Sequence, residues 1–370
     1  MHLRLTDRTE RRRALGRLLI AGFDGLSPSA EWRAMQARWN LGGYILFRRN
    51  IDSVEQVAEL NAELRAPAGA GAATIASVDQ EGGRVRRLRE GVTPIPPMLE
   101  LGRHGTEACE RVGELVAREL SALGFTLNFA PVLDVFTEPR NTVIGDRAFS
   151  TSPQEATTLA LAFARGQHRG GIATCGKHFP GHGDTLLDSH VALPRVSHPL
   201  ERLRQLEWLP FRAASEAALP LLMTAHVIVE SLDPMWPATL SETVLAYLRD
   251  EIGFDGLLIT DDLEMDAVAK NYDWPTTVRR ALFAGVDLFL VCHSLDKQLE
   301  LLDELERQVV HDIAARRRVE RSLERVSRFH ERFATAPFHV DRAALRRVVG
   351  SPSHLAVLQA LGFDQGIGSV

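Results

Sequence analysis

Short apolar runs recur along the chain, each followed by a longer stretch in which apolar positions return every three or four residues. The runs fall at 18–22, 44–47, 74–79, 126–133, 173–178, 220–226, 256–261 and 286–292. Aliphatic and β-branched residues dominate them, which predicts strands. Helical spacing occupies 54–65, 108–123, 154–169, 199–217, 241–251 and 276–284. Ser241 stands where a hydroxyl would cap one of these helices by accepting a first-turn N–H. Eight alternations over about 290 residues predict an α/β fold of the (β/α)8 barrel type, whose usual length is about 250 residues. A doubly wound open sheet shows the same alternation. No GxGxxG follows the first run, however, so a dinucleotide-binding version lacks support.

From 295 to 333 the pattern stays helical but becomes heavily charged, with Leu299, Leu302, Leu305, Val309 and Ile313 on one stripe. Arg316, Arg317 and Arg318 are offset by Glu304, Glu306, Glu320 and Glu324, so this reads as an amphipathic helix packed on the barrel. After Pro337, segments 342–349 and 354–361 are helical again. The expected division is a single catalytic barrel domain over 1–335 and a C-terminal helical extension of unassigned role over 336–370. Small residues at 68–73 predict a surface loop.

Composition narrows the class. The 370 residues are 45% hydrophobic and 25% charged, with a net charge of -5. That balance argues against nucleic acid or an anionic membrane as partner. Cys109, Cys175 and Cys292 are odd in number and widely spaced, with no disulfide framework or metal clip. The apolar patch at 18–23 is too short for a signal-peptide core, and no run approaches the ~20 apolar residues of a membrane span. A cytoplasmic, soluble, monomeric protein is expected.

The chemistry concentrates after the fifth predicted strand: Lys177-His178-Phe179-Pro180-Gly181-His182-Gly183-Asp184-Thr185, then Asp188-Ser189-His190. Only Lys177, Lys270 and Lys297 among 43 basic residues are lysine, so a compact ammonium at this crowded position is distinctive. Barrel enzymes carry their catalytic groups at the C-terminal strand ends. Asp79 ends the third strand and Arg147 lies in the loop after the fourth. Lys177 and His178 end the fifth, His226 the sixth and Asp261 the seventh. Asp261 and Asp262 are neighbours, and alternation along a strand should turn only one of them to the axis. Asp261 is expected there as a lone, ionised carboxylate able to act as nucleophile, with Asp262 capping outside. Asp188 would orient His190 as a proton donor and acceptor. The His/Asp set could alternatively ligate zinc, although its spacing is not HExxH and Pro180-Gly181 forbids a helical pair. His182 and Asp184 are expected to brace the loop.

These residues resemble the signature of family 3 glycoside hydrolases, and more narrowly of the bacterial β-N-acetylglucosaminidases of peptidoglycan recycling. Val78-Asp79-Gln80-Glu81-Gly82-Gly83-Arg84, Asn128 to Val135, Gly145-Asp146-Arg147, Met223-Thr224-Ala225-His226 and Thr260-Asp261-Asp262-Leu263 follow in the same order. The resemblance implies a TIM-like barrel and a retaining mechanism through a covalent glycosyl-enzyme, without cofactor or metal. Asp261 would be the nucleophile and His190 the acid/base, partnered by Asp188. Asp79, Arg147, Lys177 and His178 would hold the sugar. The implied substrate is a small glycan or muropeptide with terminal GlcNAc. The alternatives are another sugar specificity within the family, a metal-dependent barrel hydrolase, and a sugar-binding barrel without chemistry.

Overall fold

The computed structural model describes residues 7–66, 74–185, 189, 193–333 and 337–363. Eight strands form one sheet: β1 Leu19–Ala21, β2 Gly43–Leu46, β3 Ile75–Val78, β4 Leu127–Asn128, β5 Ala173–Phe179, β6 Leu221–Thr224, β7 Leu257–Thr260 and β8 Phe289–Val291. Neighbours in sequence are neighbours in space, every pairing is parallel, and β8 lies beside β1. A parallel bridge from Ile259 to Leu288 closes β7 onto β8. The sheet is therefore a (β/α)8 barrel. Its strands are buried on both faces, which is why they read as continuous apolar runs.

Helices surround the barrel, and the predicted ones appear with small shifts at their ends. Serine or aspartate side chains cap many of them, as Ser53, Ser152, Ser241 and Ser294 do. Three elements depart from expectation. The fourth strand is ordered as sheet only over Leu127–Asn128, because cis-Pro131 brings no N–H to a ladder. The segment 199–217 is two helices, Leu200–Gln205 and Leu209–Glu216. Pro210 cannot donate to the carbonyl of Leu206 and its ring crowds that carbonyl, which favours a break there.

The segment 295–333, expected as one amphipathic helix, is two helices, Leu295–His311 and Ile313–Phe333, divided at Asp312, whose backbone is extended and whose Oδ1 accepts the N–H of Ala314; they complete the outer layer. The tail helices Arg342–Val348 and Pro352–Ala360 pack on helix Gly105–Ala122, with Leu345, Leu358 and Phe363 buried. The segment 68–73 lies outside the described residues. No helix among the described residues is long and apolar enough to cross a membrane. Cys109, Cys175 and Cys292 are all free and buried.

Candidate active site

A cavity of about 340 Å3 opens at the C-terminal ends of the strands. It is lined by Asp79, Arg147, Lys177, His178 and Asp261, so five predicted site residues from separate parts of the chain meet in one place. Ser189 also lines it. Asp188 and His190 lie outside the described residues.

One half of the cavity is a charge cluster. Lys177 Nζ is 2.8 Å from Asp79 Oδ1 and 2.6 Å from Glu81 Oε1. Arg147 grips Glu81 in bidentate fashion, Nε to Oε2 and Nη2 to Oε1, both at 2.8 Å. Arg87 Nη2 reaches Asp79 Oδ2 at 3.1 Å. Burial alone would push both carboxyls toward protonation. For Asp79 the cations Lys177 and Arg87 prevail, and for Glu81 Arg147 and Lys177 do, so both are held well below the carboxylate range. Burial likewise opposes the charge on Lys177, but Asp79 and Glu81 outweigh it and raise its pKa. Ions this deeply placed persist only with paired geometry, and the pairing fixes the direction of every side chain.

Asp79 and Glu81 are brought to the cavity by a hairpin, Gln80–Gly82 paired with Val85–Arg86. The Gly82-Gly83 turn takes positive φ of 129° and 53°, which glycine adopts without strain. The same turn returns Arg84 and Arg87 to the rim. Lys177 and His178 both face the cavity although they are adjacent on a strand. The reason is a register slip: β5 pairs Gly176 with Leu222 but Phe179 with Thr224, so one extra residue bulges between.

His178 is aimed by Asp134, whose Oδ2 accepts from the backbone N–H of His178 at 3.1 Å and from Nδ1 at 2.6 Å. With Nδ1 donating, Nε2 is left to accept from Arg147 Nη2 at 3.4 Å. The other Asp134 oxygen receives the N–H of His182 at 2.7 Å. His182 braces the loop as expected: its ring nitrogens meet Thr185 Oγ1 at 2.5 Å and Ser189 Oγ at 2.9 Å. Asp184 accepts from Thr137 at 2.9 Å and pairs with His198 and Arg202. Both ring nitrogens of His182 thus meet hydroxyls, and Nδ1 of His178 meets Asp134. Asp184, His198 and Glu207 do come together, but the Arg202 guanidinium sits 3.3 Å from each carboxylate and supplies the positive charge itself.

Asp261 ends β7, with Oδ1 accepting the N–H of Asp262 at 2.8 Å. Burial would raise its pKa, yet the polar groups around it, among them the Asp262 N–H and the Lys177 ammonium, outweigh that and lower it. A buried, ionised carboxylate facing a polar cavity can act as a nucleophile. The expectation that Asp262 stays outside is only half right. It caps, accepting from Glu264 N at 3.2 Å and Cys292 N at 3.2 Å, but it also lines the cavity. The chain leaves the strand after Thr260, so simple alternation no longer applies. Burial and the nearby Glu264 push the Asp262 carboxyl up to about 7. His226, by contrast, does not line the cavity. It is buried, bonded to Thr239 Oγ1 and the Asp262 carbonyl, both at 2.9 Å.

A family model for the glycosyl hydrolase family 3 N terminal domain matches residues 12–329. The chain belongs to glycosyl hydrolase family 3. It is an enzyme, a glycoside hydrolase, and its curated relatives are β-hexosaminidases. The Methylococcus capsulatus β-hexosaminidase is 40% identical over 301 residues, 80% of this chain and 89% of that one. A Pseudomonas aeruginosa β-hexosaminidase is 42% identical over 278 residues, 74% of this chain and 82% of the relative. Among solved structures, a family 3 β-N-acetylglucosaminidase from a Paenibacillus species superposes with a TM-score of 0.90 at 38% identity, covering 95% of this chain and 68% of the other. NagZ from Neisseria gonorrhoeae in complex with N-trifluoroacetyl-D-glucosamine matches with 0.77 at 32% identity, covering 95% and 98%.

Glu81, Arg87 and Asp134 belong to this family 3 site and were not singled out from sequence. Glu81 is two residues beyond Asp79, which was a usable signal. Asp134 closes the fourth predicted strand, where the positional rule already applied.

Proposed function

We propose that the protein is a retaining exo-β-N-acetylglucosaminidase that removes terminal GlcNAc from muropeptides. The observation that carries this reading is the buried, ionised Asp261 in a cavity that the fixed Asp79–Lys177–Glu81–Arg147 cluster also lines. Lys177, Arg147, Asp79 and His178 offer donors and acceptors to the sugar hydroxyls and fix the ring over Asp261. An Asp261 oxygen attacks the anomeric carbon as the glycosidic C–O bond breaks, and the departing oxygen takes a proton from His190. Water then loses a proton to His190 and displaces Asp261, releasing GlcNAc with its original configuration. Asp188 orients His190; both roles rest on the sequence motif. The relatives' names, and the N-acyl glucosamine held by the Neisseria gonorrhoeae NagZ, support the sugar assignment. A cytoplasmic monomer acting in peptidoglycan recycling fits this reading.

The test compares initial rates on an aryl β-N-acetylglucosaminide and the matching β-glucoside, with a chelator present. Strong preference for the GlcNAc substrate is expected. Preference for glucose would overturn the sugar assignment, and loss of rate with chelator would restore the metal reading. The place of Asp262 in the cavity favours a second reading, in which it holds the acetamido group as that group attacks. Mass spectrometry after trapping with a 5-fluoro N-acetylglucosaminyl fluoride, which keeps the acetamido group, separates the two: a sugar bonded to Asp261 is expected, and its absence would favour the acetamido route.

A further inference from the structure

The cavity-lining hairpin is tied to the C-terminal tail through one buried carboxylate. Glu119, on helix Gly105–Ala122, accepts four hydrogen bonds. Two come from Thr93, its N–H at 3.0 Å and its hydroxyl at 2.5 Å. Two come from the tail, the N–H of Gly350 at 2.9 Å and Nδ1 of His354 at 2.9 Å. The joint has no slack. A Cβ on Gly350 would lie 2.6 Å from the Gly91 carbonyl, so the tail touches the backbone two residues before Thr93.

From Thr93 the chain runs straight to the hairpin. Ile95 accepts the Gly83 N–H at 3.0 Å. A Cβ on Gly82 would stand 2.5 Å from the Pro96 carbonyl, and one on Gly83 2.9 Å from Pro97 Cα. The segment 95–97 is therefore pressed against the glycine turn. That turn fixes where Glu81, Arg84 and Arg87 stand, and with Glu81 the directions of Lys177 and Arg147.

We infer that residues 337–363 are a positioning clamp for the sugar-contacting hairpin, with Glu119 as the positioning residue that links them. Asp261 directly follows β7, outside this chain of contacts. Loosening the clamp should therefore weaken substrate binding more than it slows the bond-breaking step. Glu119→Gln disturbs the link with little change of shape: Oε1 takes the Thr93 hydroxyl, the Gly350 N–H and His354, and Oε2 takes the Thr93 N–H, so an amide must either set its NH2 against the Thr93 N–H or give up the other three donors.

The experiment measures KM, kcat and thermal midpoint for full-length Glu119→Gln, His354→Ala and Arg342→Ala. Arg342 also lies in the tail, but it contacts exposed Glu59 rather than Glu119. KM is read on whichever aryl glycoside the wild-type enzyme turns over, so the result stands apart from the choice of sugar. Glu119→Gln should raise KM about fivefold or more with kcat within about twofold, which is the signature of lost ground-state contacts. His354→Ala should move KM in the same direction by less, and Arg342→Ala should leave it unchanged. A lowered midpoint with wild-type KM in Glu119→Gln and His354→Ala would overturn the inference. If Glu119→Gln fails to fold, His354→Ala decides by the same criterion.

Discussion

Asp134 holds His178 at two points, taking the backbone N–H at 3.1 Å and the ring Nδ1 at 2.6 Å with a single oxygen. The double contact fixes both ring orientation and tautomer, so that Nε2 points to the Arg147 side of the cavity. Asp134→Asn removes the charge and can offer a donor where Nδ1–H needs an acceptor. A drop in kcat/KM of about 10- to 100-fold is expected, the range seen when a buried orienting partner of histidine is lost. Steady-state kinetics on the folded variant checks this, and unchanged kinetics would remove His178 from the substrate-holding set.

Glu81 is the shared counter-charge of Lys177 and Arg147. Glu81→Ala leaves two buried cations facing one another, and breaking such a pair costs about 3–5 kcal/mol. Denaturant unfolding should show a loss of that order, accompanied by a higher KM. A stability change below about 1 kcal/mol, the surface-pair range, would mean that solvent reaches the cluster.

Asp261→Asn should keep the fold and lose turnover by at least about a thousandfold, because the amide is no nucleophile. The cavity keeps its cation cluster, so the variant should still bind GlcNAc in calorimetry. Turnover within tenfold of wild type would refute the nucleophile assignment.

Burial holds His168, His182 and His330 down to about 4, against an ordinary 6.5. Their folded pKa values are depressed, so the stability linked to them is present above 6.5 and is lost as pH falls toward 4. The thermal midpoint should decline across that window. His330 has no hydrogen-bond partner for either nitrogen among the described residues. His330→Leu should therefore raise stability by about 1 kcal/mol at neutral pH, and by more at pH 5. An acid decline as steep as that of wild type would contradict this.

Asp262 behaves in the opposite sense. Its folded pKa, raised to about 7 from 3.8, favours the fold below 3.8, and that advantage is lost as pH rises to about 7. Asp262→Asn should raise the thermal midpoint relative to wild type at pH 8 and leave it near wild type at pH 4. Equal differences at the two pH values would contradict the raised pKa.

Much of this was legible along the chain. A parallel barrel strand is buried on both faces, so it announces itself as an unbroken apolar run, and the eight runs each overlap one of the eight strands. The positional rule for strand ends then marked Asp79, Lys177, His178 and Asp261. It failed where the backbone leaves regular geometry. His226 follows a strand but turns to Thr239 and does not line the cavity, and Asp262 lines the cavity because the chain has already left β7. Pro131 and Pro210 were visible in sequence, and each explains a shorter element than the apolar pattern suggests.

The sequence by itself determined the barrel, the strand ends and the residue types that could do chemistry, because periodicity and glycine or proline punctuation are local properties. Only the tertiary structure decided the partnerships. Glu81 between Lys177 and Arg147, Asp134 on His178, and Glu119 between Thr93 and the tail each join residues 26 to 235 positions apart. Such pairings follow from closing the barrel and laying the tail on its outer helix. Burial then sets the charge of each group, which no local pattern encodes.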